Sequence, residues 1–207
     1  RYAYYAFPFA VPKAKRLCHL NGCVAEYGKD ITGHTTDVYM APCEWCSVEN
    51  EEWGIGWMQL DSQLVEFDHI HPDKTDYGLA GAGSELYSYV ANDWLQMHVS
   101  SGNSLSFRFR YGITSYKGNY CQAGLPEMAE RYANPMLCCH IYPHSGNLPN
   151  KECSFAYGDS GTRLLTLKRA EDGRGLIARL YNVVKNNSAN FHLNFKLFGS
   201  VSLEAST

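Results

Sequence analysis

Charge is what this sequence has little of. Asp, Glu, Lys and Arg make up 19% of its 207 residues, and the formal charge is −3. The longest basic runs, Lys13 to Arg16 and Leu167 to Arg169, are too short to track a phosphate backbone, so nucleic acid is not an expected partner. Long apolar runs are missing too: no stretch approaches the roughly 18 to 20 residues of a membrane-crossing helix, so no membrane association is expected. Helical periodicity is scarce. Its one fair instance is the stretch Leu125 to Tyr132, with Pro126 near the start and acids early, which predicts one or two turns of helix. No initiator Met opens the chain, which begins Arg1-Tyr2-Ala3-Tyr4-Tyr5 inside an aromatic run; the expectation is a piece of a longer polypeptide, for which a missing leader says nothing about location.

What is abundant is aromatic. Phe, Trp and Tyr reach 14%, with 15 Tyr, and 45% of residues are hydrophobic, a balance that suits pleated sheets with a buried core. The fold class expected is all-β with little helix. Strand signals run over Tyr2 to Val11, Trp53 to Phe67, Leu86 to Val99 and Leu105 to Thr114. In the second, Gly54 and Gly56 predict a bulge or a close backbone approach. The fourth alternates without a fault, Leu105, Phe107, Phe109, Tyr111 and Ile113 against Ser106, Arg108, Arg110 and Gly112, and reads as a regular strand. Leu164 to Lys168 and Leu176 to Tyr181 flank Glu171-Asp172-Gly173, whose Asp-Gly step supplies the positive φ of a hairpin turn. Phe191, Leu193, Phe195 and Leu197 alternate again near the end. The polar stretch His144 to Lys151 marks a sub-boundary, dividing residues 1–154 from the strand-forming residues 155–207.

Several clusters have the residue types of chemistry. There are eight cysteines. Cys43-x-x-Cys46 has the spacing of a zinc or redox pair, and Cys18, His19, Cys23, Cys138, Cys139 and His140 supply further ligands on paper. These spacings match no zinc module, and buried, inert thiols in a reducing cytoplasm are the plainer expectation. His69-x-His71, with Asp68 and Asp73 near, puts two imidazoles on one strand face for a metal; the alternative is a polar strand end leading into a loop. Gly158-Asp159-Ser160-Gly161 is similar to the nucleophile loop of chymotrypsin-like serine proteases, but Thr162-Arg163 follows where a small residue and Pro are expected, and a turn before the Leu164 strand is the alternative. Glu49, Glu51 and Glu52 cluster in what reads as a solvated loop. Trp94, flanked by Asn92 and Asp93, together with Arg108 and Arg110, has the make-up of a shallow sugar-binding surface; the alternative is a core Trp beside a solvated arginine face.

Three ordered stretches, Tyr4 to Val11 (YYAFPFAV), Gly56 to Asp68 (GWMQLDSQLVEFD) and Leu86 to Ile113 (LYSYVANDWLQMHVSSGNSLSFRFRYGI), resemble the C-terminal β region of glycoside hydrolase family 38 α-mannosidases, as does the closing Leu164 to Asn182 hairpin. Gln63 departs from the usual Pro, and Asp93 and Gln96-Met97-His98 depart from the usual Asn and Thr-Asn-Phe-like stretch. The resemblance implies a supersandwich of two packed antiparallel sheets, akin to galactose mutarotase, with residues 1–154 as its main portion and 155–207 completing it or forming a small terminal sheet. It also implies that the catalytic Asp and the zinc ligands lie in an upstream α/β barrel outside this chain. On the same resemblance Leu105 to Ile113 is a central strand whose apolar side faces the sandwich and whose Arg108 and Arg110 side faces solvent or the barrel. Expected, then, is a non-catalytic domain without a cofactor of its own, partnered by the catalytic domain of the same polypeptide. Carbohydrate is a candidate ligand and a homo-oligomer a candidate state. The alternatives are a stand-alone carbohydrate-binding module, or a serine or metal hydrolase at Ser160 or at His69 and His71. If the chain is cut from a larger protein, the face that met the barrel should be an exposed apolar patch.

Overall fold

A computed structural model describes residues 2–30, 39–71, 83–92, 106–147 and 162–182. The chain divides into two compact units, Arg1–Pro135 and Met136–Thr207.

The first unit holds two antiparallel sheets. One has three strands, β1 (Tyr2–Phe7), β7 (Leu86–Asn92) and β6 (Leu64–Phe67), in that order across the sheet. The other has five: β3 (Cys23–Glu26), β2 (Lys15–Leu20), β4 (Trp45–Glu49), β5 (Trp53–Gln59) and β8 (Tyr111–Lys117). Strand alternation sorts the side chains between two cores. On β4, Cys46 and Val48 point towards the three-stranded sheet and join Cys18, Trp57, Val65, Phe67 and Leu86 in the inter-sheet core. Trp45, on the opposite face, joins Leu17, Met58, Leu125 and Ala129 beneath the helix α1 (Leu125–Ala133).

That helix lies where the sequence predicts it, with Pro126 in its first turn and Glu127 near its N-terminus. Gly54 and Gly56 explain its seat. They are not a bulge, since β5 keeps an unbroken register with β8, but a place of close approach: a Cβ on Gly56 would collide with Leu125, and one on Gly54 with Tyr116 and Glu49. Glu49, expected in a solvated loop, is instead buried in β4 on this face. Its Oε2 accepts from Ser47 Oγ (3.0 Å), Tyr116 OH (2.8 Å) and the Tyr120 amide (2.8 Å), which ties the chain ahead of the helix to the central strand. Glu51 and Glu52 are exposed, as expected.

Two other expectations need correction. The run Trp53 to Phe67 is not one strand: the chain leaves the five-stranded sheet at Gln59 and enters the three-stranded sheet at Leu64. A polar clasp holds the crossing. Ser62 donates to the Tyr89 carbonyl (2.8 Å) and accepts from Ser88 Oγ (2.8 Å), and Gln59 accepts from the Ser62 amide (3.0 Å). The alternating stretch before Thr114 is likewise not a central strand. Among the described residues, regular pairing begins only at Tyr111, and β8 lies at the edge of its sheet. Phe109 and Tyr111 pack against Tyr5, but Phe107 and Ile113 are exposed, as are Arg108 and Arg110 on the other side.

In the second unit, β9 (Thr162–Arg169) and β10 (Leu176–Asn182) form the expected hairpin. Its loop is longer than a two-residue turn: Gly173 donates to the Ala170 carbonyl at φ +76°, and Gly175 follows at φ +88°. The terminal alternation from Phe191 and the boundary near residue 154 lie outside the described residues.

A valine at Gly56 tests the seating of the helix. Gly56→Val should lower stability by about 2 kcal/mol, as overpacking of a closed core does, measured by urea denaturation. Wild-type stability would mean that the helix does not rest on this glycine.

Candidate functional site

The sequence-predicted sugar surface is only partly visible. Asn92 ends β7 opposite Tyr2, and Asp93 and Trp94 lie outside the described residues. Arg108 is exposed. Arg110 is committed to Asp61: its Nε and Nη2 donate to the two carboxylate oxygens at 2.9 and 2.8 Å, and its own amide donates to Oδ2 at 2.9 Å. The Arg110 hydrogen bonds hold the Asp61 carboxyl below its ordinary range.

The cysteine spacings have structural explanations. Cys43 and Cys46 diverge, Cys43 outward to accept from the Asn21 amide (3.0 Å) and Cys46 into the core, where its sulfur lies 3.3 Å from that of Cys18 across the β2–β4 pair. Burial raises the Cys46 thiol well above its usual pKa. The interval from Cys18 to Cys23 is hairpin spacing: Leu20 pairs with Cys23 around Asn21-Gly22, both at positive φ. Exposure of Cys23, Cys43, Cys138 and Cys139 corrects the expectation that the thiols are buried. His19 stacks on Trp45 with its Nδ1 3.4 Å from Glu44. Ser160 and its loop, and Cys153, lie outside the described residues.

His69 and His71 do not share a strand face, because β6 ends at Phe67 and Asp68 turns at φ +71°. His69 is exposed, with Nδ1 2.6 Å from Asp68 Oδ2, and its ring lies 4.0 Å from that of His71. His71 is buried against Glu66, a residue that sequence reasoning passed over. Glu66 is the one acid within β6; Val65 and Phe67 beside it point into the core, so its carboxyl group emerges on the outer face of the three-stranded sheet. There Oε2 accepts from the His71 amide (2.8 Å) and faces His71 Nδ1 (3.0 Å), and Oε1 accepts from Tyr4 OH (2.5 Å). A further hydrogen bond joins Tyr4 to Tyr39. Tyr2, Tyr4 and Tyr39 all pack on Tyr89, with centroids 6.0, 5.1 and 5.6 Å from its ring. The result is a partly open floor of four phenols around a fully buried carboxyl group. Burial first, then the bond to Glu66, pushes the Tyr4 phenol far above its ordinary pKa, so it stays a donor. The legible signal was a lone Glu between Val65 and Phe67, with Tyr at alternate positions across the sheet.

Comparison with known proteins bears out the resemblance. Residues 162–207 match the family described as the glycosyl hydrolases family 38 C-terminal β-sandwich domain. A solved glycosyl hydrolase family 38 protein from Enterococcus faecalis shares the fold with a TM-score of 0.71 at 13% identity, over 93% of this chain and 22% of that one. An α-mannosidase from Enterococcus faecalis V583 gives 0.66 at 13% identity, over 87% and 20%. This chain therefore spans about a fifth of the length of these relatives. The search of curated proteins returned no match.

Removing the Glu66 acceptor leaves the Tyr4 hydroxyl and the buried His71 amide and ring without it, so Glu66→Ala should cost about 3 kcal/mol and Tyr4→Phe about 1 kcal/mol in urea denaturation. A raised folded pKa keeps the Tyr4 contribution intact below the unfolded value near 10 and removes it as pH climbs further. Equal stability of the Glu66→Ala and wild-type chains at pH 7 would show the cluster to be incidental.

Proposed function

We propose that this chain serves as the non-catalytic C-terminal β-sandwich portion of a larger glycoside hydrolase resembling α-mannosidases, where it supports a catalytic barrel. The observation that carries this reading is the fold shared over 93% of this chain with only 22% of a solved glycosyl hydrolase family 38 protein, alongside the family match at residues 162–207. The parent polypeptide would supply the catalytic carboxylates, which a retaining glycosidase holds about 5 Å apart in a cleft. The zinc implied by the resemblance would be held in that barrel. Among the described residues no three His, Cys, Asp or Glu side chains form a group able to hold a metal, and no step assigned to this chain runs through one. Cytoplasmic residence, with the cysteines kept as thiols, belongs to the same reading. Among the described residues no helix is long and apolar enough to cross a membrane.

The tyrosine floor favours a second role, contact with carbohydrate. Phenol faces stack on the C–H surfaces of sugar rings while their hydroxyl groups meet sugar hydroxyls. Tyr2, Tyr4, Tyr39 and Tyr89 present such rings on one side of the three-stranded sheet, with Glu66 holding Tyr4 in place.

The folded chain alone should turn over no aryl α-mannoside, and an active-site serine probe should leave Ser160 unlabelled. Turnover abolished by Ser160→Ala or His69→Ala would overturn the non-catalytic reading. In calorimetry against mannose oligosaccharides, binding should fall at least tenfold in Tyr89→Ala; silence of the wild-type chain would remove the carbohydrate role.

A further inference from the structure

The two sheets of the first unit do not cover one another equally. Among the described residues, β8 ends the five-stranded sheet and β1 ends the three-stranded sheet. The Tyr5 ring on β1 lies 5.9 Å from both Phe109 and Tyr111, so the two edges border the same side of the sandwich. Along that side the apolar face of residues 107–113 runs out from under its cover. Phe107 is 61% exposed, Ile113 55% and Tyr5 52%, although Trp57, the partner of Ile113 on β5, is fully buried. An inward-patterned strand with its ends bare is what a sandwich shows where further strands are to be added.

Among the described residues the edge itself is unprotected. Natural edge strands are blunted by Pro, bulges or charges in mid-strand. β8, Tyr111-Gly112-Ile113-Thr114-Ser115-Tyr116-Lys117, has no Pro, pairs with β5 without a register shift, and carries its single charge at the last position. The Arg110–Asp61 pair fixes the chain at its entry.

We propose that this seam receives a β segment from the part of the parent polypeptide outside residues 1–207, which pairs with the free edge of β8 and lays alternate apolar side chains on Tyr5, Phe107 and Ile113. The inference rests on the reading that the chain is part of a larger hydrolase, and the length of the solved relatives, of which this chain covers 20–22%, leaves ample polypeptide to supply the segment.

Residue-resolved amide exchange on the 207-residue chain and on the intact parent tests it. The amides of 111–117 not bonded to β5 should exchange rapidly in the chain alone and at least tenfold more slowly in the parent. Phe107→Asp with Ile113→Asp should abolish that protection while leaving the melting temperature of the chain alone unchanged. Protection in the chain alone overturns the proposal: if it depends on concentration, a second copy occupies the seam, and if it does not, the chain's own residues do. Protection of a different face in the parent refutes the seam but leaves the proposed function standing. Identical exchange everywhere in chain and parent refutes both.

Discussion

A sheet that is apolar on both faces cannot be left uncovered on either, and the five-stranded sheet imposes that constraint on everything around it. β4 states it most clearly: all five of its residues are buried, with Cys46 and Val48 turned to one core and Trp45 to the other. One face is closed by the three-stranded sheet. The other is closed by a nine-residue helix that is too short to be stable alone and depends on the glycine trough of β5 for its packing area. A side chain in that trough would lift the helix and open the second core, so the least conspicuous residues of the strand set the thickness of the layer above it.

Two buried carboxyl groups organise what lies outside the sandwich. Glu49 and Glu66 sit on strands of different sheets, each pointing away from the inter-sheet core, and each joins a donor close in sequence to a phenol more than 60 residues away. Glu49 collects Ser47, Tyr116 and the Tyr120 amide, and Glu66 collects Tyr4 and His71. Burying such a group without partners would be costly, so each also commits its surroundings to one arrangement. For Glu66 that arrangement is an ordered phenol surface, which is why a structural device and a candidate sugar contact coincide.

Period-two alternation made the class of fold, the terminal hairpin and the inward side of most strands legible, and Pro126 with Glu127 marked the helix. What alternation cannot reveal is which sheet a strand joins or whether it has a neighbour on both sides. Asp61-Ser62-Gln63 interrupts an apolar run that continues on either side, so the crossing between sheets looked like one strand. The faultless pattern from Leu105 to Ile113 looked central, yet it is regular because its inner face is apolar, not because it is covered. Asn21-Gly22 carried a hairpin signal that accounts for the Cys18–Cys23 interval without a metal. Glu49 looked like part of a solvated loop and Glu66 drew no notice, because the phenols that donate to them, Tyr116 and Tyr4, lie more than 60 positions away in the sequence. The Asp93-Trp94 part of the predicted sugar surface lies outside the described residues, so the candidate site now rests on the tyrosine floor.

A scaffold that supports a catalytic barrel should be needed by the reaction without taking part in it. The most direct measurement follows glycosidase turnover and β-sheet circular dichroism of the parent polypeptide together during heating, in the wild-type protein and in Gly56→Val. The account predicts that activity disappears together with this domain's unfolding transition, and that the glycine substitution moves both to lower temperature by the same amount while leaving turnover below the transition unchanged. Activity that outlasts the unfolding of the domain, or a turnover number altered by Gly56→Val in the folded protein, would contradict it.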